Sequence, residues 1–366
     1  MEFPRQSRDL SSSGLPSRRG ILAGLGAAAV GISFSGLGGC HRAEKSRLNF
    51  YTWDTYIGKH TLSDFEKASG THVNLSLYSS NDELFAKLRG GNPGYDVIVP
   101  SHDFLQRMGK AGMLMPLDHA KIPNMANIAP AFLHPPYDPQ RIYGMPYTWL
   151  VLGLGYRKSK IEGVPDSWKW VFDSDKYKGR IGLLSDAPDL CRLVEIYMAK
   201  DPNVFDPVAL KAAQDQLIRQ KKNVAVFHDD NGQDLLLAGD IDIVIEYNGD
   251  IAQVMREDPD LAFVLPKEGS LIQSDQLAIP KGAPNPDAAH AFINYLLGAE
   301  AGADISRTIS YPTPNAAALR LMDDAYRHNP AIFPPEAAVA KCRYSQYLGE
   351  DAYRAYQDVI TRVRAA

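Results

Sequence analysis

The runs LNFYTW (residues 48–53), HVNLSLY (72–78) and YDVIVP (95–100) read as three β-strands. The second run alternates apolar and polar residues as a half-buried strand does, and the third is apolar enough to lie centrally in a sheet. The two stretches between the runs carry apolar residues at helical spacing. The order is therefore strand, helix, strand, helix, strand, which predicts an α/β fold with a doubly wound sheet.

Both predicted helices have recognisable ends. In the first, apolar residues recur at helical spacing from Leu62 until Gly70 stops the pattern. In the second, Ser80 or Asn81 can cap a helix that runs to Arg89. These end signals support the assignment of both segments as helices rather than loops.

The same alternation returns in the middle of the chain and predicts a second α/β domain. Strands are expected at residues 181–184, 223–227 and 241–246, with helices at 189–198 and 207–221 between them. The second domain therefore repeats the architecture of the first.

An extended apolar stretch, residues 148–156, is long enough to cross from one domain to the other. Its Gly153 and Gly155 could supply the freedom of a hinge, or they could simply lie in a central strand. Further on, residues 275–280 look like a strand and residues 286–297 look like a helix. The chain is thus expected to return to the first domain late.

The overall composition is that of a globular protein without a basic surface. Of 366 residues, 45% are hydrophobic and 22% are charged, so a large core is expected and disorder is not. The formal net charge is −4 and the sequence pI is about 6.1. These values leave no basic field to hold nucleic acid, and nucleic acid is therefore excluded as a partner.

Residues 1–40 are predicted to be an export signal rather than part of the fold. The two arginines of SRRGIL (residues 17–22) precede an apolar region at residues 21–34, and LGGC (37–40) has the form of a lipobox. SRRGIL is similar to the twin-arginine export signal, and the ordinary secretory route stays open. We expect cleavage before Cys40, lipid attachment to its sulfur, and a mature chain tethered to a bacterial membrane in the periplasm.

The other two cysteines, Cys191 and Cys342, could form one disulfide or remain buried thiols. A chain of this length can build a sufficient core without a covalent cross-link. We therefore expect two free, buried thiols.

Motifs for cofactor, metal or catalytic chemistry are missing from the sequence. There is no GxxxxGK[ST], no GxSxG and no HExxH, and the nine histidines have no ligand spacing. DDNG (residues 229–232) faintly suggests a calcium loop, but the terminal glutamate does not follow, so a turn is expected. Gly153 and Gly155 lack the third glycine of a dinucleotide fingerprint. The sequence thus predicts neither an enzyme nor a cofactor or metal site.

Acids, aromatic residues and one serine are concentrated near the predicted strand ends, where doubly wound sheets bind their ligands. They are Trp53, Asp54, Tyr56, Ser101, Asp103, Asp186, Asp189, Tyr247, Asp250, Asp275 and Tyr311. A chain of ammonium groups joined by methylenes needs this combination, because carboxylates bind the charges and aromatic faces pack on the carbon between them.

Most of these residues also have an ordinary structural explanation. Asp186 and Asp189 begin a predicted helix, where acids commonly cap amides or oppose the helix dipole. Tyr247 and Tyr311 could equally be core aromatics. Similarly, Trp53 could be a core residue, and Ser101 could cap the next helix. Asp54 and Asp103 could be solvated or helix-capping. Asp275 could be a solvated acid at the start of a strand.

Several short segments, in order along the chain, resemble the periplasmic spermidine/putrescine-binding proteins of ABC importers. They are YTW (residues 51–53), VPS (99–101), PKEG (266–269), DQLAIP (275–280) and YPTPN (311–315). The likeness runs from about residue 48 to nearly the C-terminus, and so it covers essentially the whole mature body. It implies a type II periplasmic binding fold, in which two α/β lobes close on a ligand. The resemblance places lobe 1 at 44–151 and 275–319, lobe 2 at 156–270 and 324–366, and hinge strands near 152–155 and 271–274.

The resemblance also implies which side chains contact a polyamine. They are Trp53, Tyr56, Ser101, Asp186, Asp189, Tyr247, Asp275 and Tyr311, with Tyr247 standing where well-known members have Trp. Asp250 matches an acid of putrescine-type members. Near the C-terminus, a family glutamine corresponds to Ser345 or to Gln346.

Three positions depart from the family pattern. Gln273 lies where a Trp or Phe packs on the methylenes, while Asp54 and Asp103 take places usually held by Thr, Ser or Tyr. One aromatic wall is therefore weaker and the cleft more acidic than in the family.

The sequence thus predicts a monomeric, extracytoplasmic binding protein that captures a polyamine or a related cationic amine. Its partners would be the permease and ATPase of an ABC importer, and its lipid anchor would be its one contact with the membrane. The alternative is a binding or sensing protein of the same fold for another small ligand, such as another cationic amine, an amino-phosphonate, a thiamine-like cation or a metal ion. A hydrolase using Asp186 and Asp189 would lack the opposed second carboxylate.

Overall fold

The computed structural model describes residues 46–229 and 231–366, so the predicted export signal and Cys40 lie outside it. The strands are β1 (Arg47–Trp53), β2 (His72–Tyr78), β3 (Val97–Ile98), β4 (Gly144–Arg157), β5 (Ile181–Leu184), β6 (Val224–His228), β7 (Ile243–Tyr247), β8 (Leu261–Val264), β9 (Leu271–Ala278) and β10 (Arg343–Tyr344).

The helices alternate with these strands, and three short 3-10 helices lie between residues 119 and 132. The α-helices are α1 (Thr61–Ser69), α2 (Asn81–Arg89), α3 (His102–Lys110), α4 (Lys169–Phe172), α5 (Ala187–Tyr197), α6 (Pro207–Lys221), α7 (Gly232–Ala238), α8 (Asn248–Val254), α9 (Pro286–Leu296), α10 (Ala299–Ile309), α11 (Ala316–Leu319), α12 (Asp324–Arg327), α13 (Glu336–Val339) and α14 (Glu350–Ala365).

The strands follow the order β2-β1-β3-β9-β4-β7-β5-β6, with β10 beside β9 and β8 beside β4. We call β2, β1, β3, β9, β10 and residues 144–151 of β4 the first sheet, and residues 152–157 of β4 with β5, β6, β7 and β8 the second sheet. β1 pairs in parallel with both β2 and β3, and β5 pairs in parallel with β6 and β7. β9 is antiparallel to both β3 and β4. The predicted doubly wound α/β pattern is therefore confirmed in both sheets.

The first two predicted helices end where their signals place them. Gly70 adopts the left-handed conformation, with φ of 71°, and its N–H donates to the Glu66 carbonyl. The Ser80 hydroxyl accepts a hydrogen bond from the Glu83 N–H at 3.2 Å and so caps α2. β2 lies at the edge of the first sheet, and its Leu75 is exposed although Val73 is buried.

β4 runs without interruption from the first sheet into the second. Its residues 144–151 pair with β9, and residues 152–157 pair with β7 and β8. Close packing requires glycine at both Gly153 and Gly155 of this strand. A Cβ on Gly153 would lie 2.3 Å from the Phe263 ring, and one on Gly155 would lie 2.4 Å from Ile251. The explanation as a central strand therefore accounts for both glycines.

The strand predicted at residues 275–280 is longer and begins earlier. β9 starts at Leu271, so Asp275 lies within the strand, opposite Thr148 of β4, and is 5% exposed. The alternative explanation of Asp275 as a solvated acid at the start of a strand is therefore wrong. The residues just before it are polar yet buried, because the Ser274 hydroxyl donates to the Thr148 carbonyl at 2.7 Å and the Gln273 amide bonds to Asp189.

Separate cores support the two sheets. Side chains of α1, α9 and α10 pack on the first sheet with Phe50, and α2 and α3 cover it through Leu84, Leu105 and neighbours. On the second sheet, α4, α5, α6 and α14 share one core around Trp168, and α7 and α8 form another with β7. We call the elements packed on each sheet the first half and the second half.

Two further expectations concern the cysteines and the membrane. Cys191 and Cys342 are free and buried, as the sequence predicts. Within the described part of the chain, none of the helices has the length and apolarity needed to span a bilayer.

Candidate functional site

A cavity of about 670 Å³ lies at the carboxyl ends of β1, β5 and β7, with walls from both halves. We call it the cleft. Ten of the twelve residues singled out in the sequence line it: Trp53, Asp54, Tyr56, Ser101, Asp186, Tyr247, Asp250, Gln273, Asp275 and Tyr311. The topology places them together because strand ends of both sheets converge at this point.

Asp275 is the most firmly held acid that the first half contributes to the cleft. The Tyr56 hydroxyl donates to its Oδ2 at 2.6 Å, and the Ser101 hydroxyl donates to its Oδ1 at 2.9 Å. Burial raises the pKa of Asp275 to about 6, although both hydrogen bonds oppose the shift. A positive charge entering the cleft would stabilise the ionised form, so this carboxylate is poised to bind a cation.

Asp250, in the first turn of α8, has a similar arrangement in the second half. The Tyr311 hydroxyl donates to its Oδ2 at 2.5 Å. Burial raises the pKa of Asp250 to about 7, the hydrogen bond from Tyr311 lowers it, and the negative charge of Asp275 adds to the increase. The Tyr56 and Tyr311 rings meet edge to face with centroids 5.3 Å apart. The two tyrosines thus connect the two carboxylates.

Gly249 is required for the position of the Tyr311 ring. The ring packs directly on the first turn of α8, where a Cβ on Gly249 would lie 2.4 Å from two of its carbons. Only glycine permits this approach without displacing the tyrosine. Gly249 is therefore a positioning residue for the Tyr311–Asp250 bond.

Asp186 and Asp189 have different environments although they are three residues apart. Asp186 lines the cleft and also caps α5, because its Oδ1 accepts from the Asp189 N–H at 2.9 Å. Burial and then the nearby Asp189 raise the pKa of Asp186 well above its ordinary value. Asp186 therefore has both roles: it caps α5 and it lines the cleft.

Asp189 lies behind the cleft wall and is 4% exposed. Its Oδ2 accepts hydrogen bonds from the Gln273 amide and from the Tyr247 hydroxyl. Burial raises the pKa of Asp189 to about 6, the charge of Asp103 adds to this, and Arg192 opposes it. Gln273 comes from the first half, so its bond to Asp189 ties the two halves together beneath the cleft.

Trp53 forms an aromatic wall at the end of β1. Its indole N–H donates to the Val99 carbonyl at 2.9 Å, and its ring packs against Tyr78 with centroids 4.7 Å apart. Asp54 follows it and is exposed at the rim of the cleft, where it bonds the Thr55 N–H. The ring is thus fixed with one part in the cleft.

Asp103 does not line the cleft. It lies in the first turn of α3, where its Oδ1 bonds the Phe104 N–H, and it lines a small neighbouring cavity with Arg192. Its charge still raises the pKa of Asp186, Asp189 and Asp275.

The C-terminal glutamine expected at residue 345 or 346 is also not at the cleft. Ser345 is fully buried and its carbonyl bonds His102. Neither Ser345 nor Gln346 is among the lining residues, whereas Gln357 of α14 is. The glutamine that lines the cleft is therefore Gln357 of α14, not a residue at position 345 or 346.

Four cleft acids were not identified from the sequence: Asp82, Asp229, Asp234 and Glu257. Asp229 follows β6 directly, so the same strand-end argument could have found it. Asp82 and Asp234 lie in the first turns of α2 and α7, where an acid is ordinary and gives no signal of a site.

The cleft is strongly acidic. Among the described residues that line it, the acids are Asp54, Asp82, Asp186, Asp229, Asp234, Asp250, Glu257 and Asp275, and the one Lys or Arg is Arg364. Such a surface attracts cations and repels anions during encounter. Within residues 46–229 and 231–366, no group of three His, Cys, Asp or Glu side chains is arranged to hold a metal ion.

The model of one protein family matches most of this chain. The family is described as bacterial extracellular solute-binding protein, and the match spans residues 61–334. The chain belongs to this family.

Two curated relatives agree with the assignment. Spermidine/putrescine-binding periplasmic protein 1 of Haemophilus influenzae is 31% identical to this solute-binding protein over 327 residues, covering 88% of this chain and 90% of the relative. The putrescine-binding periplasmic protein of Escherichia coli K12 is 34% identical over 318 residues, covering 82% and 86%.

Solved structures show the same fold. A spermidine/putrescine ABC transporter substrate-binding protein of Streptococcus pneumoniae superposes with a TM-score of 0.77 at 26% identity, covering 87% of this chain and 99% of its own. A lipoprotein of Treponema pallidum superposes with a TM-score of 0.79 at 25% identity, covering 88% and 100%. The predicted type II periplasmic binding fold is confirmed. The two curated relatives and the Streptococcus pneumoniae protein are named as binding proteins, in agreement with the expectation that this solute-binding protein is not an enzyme.

Proposed function

We propose that this solute-binding protein captures a polyamine or a related cationic amine outside the cytoplasm and delivers it to the permease and ATPase of an ABC importer. The observation that carries the proposal is the pair of tyrosine-held carboxylates, Asp275 from one half and Asp250 from the other, in one acidic cleft. The spermidine and putrescine binding stated in the names of its relatives supports the same ligand class.

The chemistry of the cleft matches a flexible dication or trication. An ammonium about 4 Å from a carboxylate gains on the order of 4 kcal/mol at an effective dielectric near 20, before the cost of desolvation. The Trp53 and Tyr247 rings lie on cleft surfaces where methylenes can pack, and ring faces also attract cations. The carboxylates thus provide affinity for the charged ends, and the rings provide it for the carbon between them.

Calorimetry with a series of amines tests this function. We expect saturable binding of putrescine, cadaverine, spermidine or agmatine, and weaker binding at high salt because ionic screening reduces the attraction. Butane-1,4-diol is the matched control, since it has the length of putrescine without its charges, and it should give no binding heat. If no amine binds at either salt concentration, the ligand class is wrong.

A second candidate is a different small ligand on the same fold, such as an amino-phosphonate, a thiamine-like cation or a metal ion. Gln273 favours it, because an amide bonded to Asp189 stands where the resembling family has an aromatic ring. Tighter binding of such a ligand than of any amine would establish this alternative.

We also propose that the two halves move as lobes around hinge strands near 152–155 and 271–274. Lobe 1 would comprise residues 44–151 and 275–319, and lobe 2 would comprise 156–270 and 324–366. β10 of the first sheet pairs with the hinge residues Leu271 and Ile272 and would belong to lobe 2. The crossing of β4 between the sheets and the return of the chain through β9 support this division. The protein is proposed to act as a monomer.

Cys40 is proposed to carry the lipid that tethers the protein to the membrane after export by the twin-arginine or the secretory route. The LGGC motif and the Treponema pallidum lipoprotein of the same fold support it. Metabolic labelling with radioactive palmitate should mark the wild-type protein and fail to mark Cys40→Ser. A Cys40→Ser protein that stays membrane-bound would contradict the anchor.

A further inference from the structure

Arg107 of α3 is a charged residue buried outside the proposed ligand contacts, with 7% of its surface exposed. Its Nε and Nη2 donate to the two carboxylate oxygens of Glu350, at 2.8 and 2.9 Å. Its guanidinium carbon lies 4.0 Å from the ring centroids of both Phe85 and Tyr353. The planar guanidinium of arginine can pair with both oxygens of a carboxylate and stack on aromatic rings, whereas the ammonium of lysine cannot do either in this way. The site is therefore specific for arginine.

Asp82 of α2 makes a second set of contacts beside the first. Its carboxylate accepts hydrogen bonds from the Tyr353 hydroxyl and, at 3.2 Å, from the Gln357 amide, and it lies 3.6 Å from Arg107 Nη1. Asp82 and Gln357 both line the cleft. The cluster of Arg107, Glu350, Asp82 and Tyr353 therefore lies at the mouth of the cleft.

The members of this cluster belong to different halves of the protein. α2 and α3 are held on the first sheet by Leu84 and Leu105. α14 is held in the core of the second sheet by Ala352, Tyr356 and Val359. Every contact between α14 and Arg107 or Asp82 thus joins the two halves, and separating the halves must break it.

We propose that Arg107, Asp82, Glu350 and Tyr353 form an interlobe latch that favours the closed conformation before any ligand is bound. Opening the cleft withdraws Glu350 and the Tyr353 ring together, which leaves the Arg107 charge without its bidentate partner. Ligand affinity rises with the fraction of protein that is already binding-competent. The latch therefore also tunes affinity through Arg107, Glu350 and Tyr353, which do not line the cleft. This second consequence rests on the proposed function, whereas the bias toward closure does not.

Small-angle X-ray scattering of the ligand-free full-length protein tests the latch. Glu350→Gln removes the charge that pairs with Arg107 and should increase the radius of gyration. The matched control is Asp351→Asn, since Asp351 is the next residue in the same first helical turn and its carboxylate pairs with Arg354 of its own helix. Both variants lose one acid near the start of α14, but Asp351 has no contact with α2 or α3 among those found in the described residues.

A second variant separates the latch from a folding defect. Tyr353→Phe keeps the ring against Arg107 and removes the hydroxyl that bonds Asp82, so it should open the ligand-free protein with little loss of thermal stability. For both latch variants, putrescine affinity should fall by about fivefold or more relative to Asp351→Asn. Equal ligand-free radii for Glu350→Gln, Tyr353→Phe and Asp351→Asn would overturn the latch. If no variant bound any amine, the proposed ligand would be wrong, while the scattering result would still decide the latch.

Discussion

The Asp275→Asn variant is expected to lose at least about thirtyfold in amine affinity while becoming more stable without ligand. Truncating one partner of a buried, hydrogen-bonded charge pair costs about 2–5 kcal/mol, which corresponds to this loss or a larger one. Asparagine is isosteric with aspartate and can still accept the hydrogen bond from Tyr56. Binding is therefore lost through the charge and not through the shape of the cleft.

The gain in stability follows from the raised pKa of Asp275. Its pKa is about 6 in the folded protein, whereas an unfolded aspartate has a pKa of about 3.9. The folded state binds this proton more tightly than the unfolded state, so protonation of Asp275 stabilises the fold. This stabilisation is fully present below about pH 3.9 and is lost as the pH rises through about 6. At pH 8 the wild-type protein must bury an ionised carboxylate, and the amide variant does not.

Calorimetry and thermal unfolding at pH 8 measure the two effects. Asp287→Asn is the control, since it removes one charge from the first half at an exposed position on α9, where the aspartate pairs with Lys121. The control should bind amines like the wild type and should not gain stability. An Asp275→Asn protein with wild-type amine affinity would refute the role given to this residue.

The architecture was predictable because its signals are local. Gly70 ends α1 in a left-handed conformation and Ser80 caps α2 through its own hydroxyl, and both effects depend on residues within a few positions along the chain. Strand ends converge by topology, so the sequence alone is enough to expect Trp53, Ser101 and Asp186 at one cleft.

Features that depend on distant partners were not predictable in this way. The bond between Gln273 and Asp189 is one such feature, because nothing in the sequence around Gln273 shows that its amide will reach an acid of the other half. Asp103 lies in the first turn of α3, and only the packing of that helix directs it to a separate cavity with Arg192. Gly249 has no sequence signal either, since its role is to admit the Tyr311 ring from more than sixty positions away.

Amine affinity is also expected to fall steeply with acidity, by at least about tenfold between pH 7.5 and pH 5.5. Burial raises the pKa of Asp250 to about 7 and that of Asp275 to about 6, so lowering the pH protonates both carboxyls in the empty cleft. A bound ammonium requires the ionised forms, whereas the amine itself stays charged throughout this range. Each binding event at pH 5.5 must therefore release protons, and the free energy of deprotonation opposes binding.

Titrations in two buffers with different ionisation enthalpies measure this proton release directly. The observed binding enthalpy should differ between the buffers at pH 5.5 and should nearly coincide at pH 8, where both carboxylates are already ionised. Asp250→Asn removes the group with the higher pKa of the two, so its remaining pH dependence should begin about one pH unit lower. An affinity that does not change between pH 7.5 and pH 5.5 would mean that neither carboxylate meets the ligand's charge. In that case the tyrosine-held pair would be a structural feature of the cleft rather than its cation site.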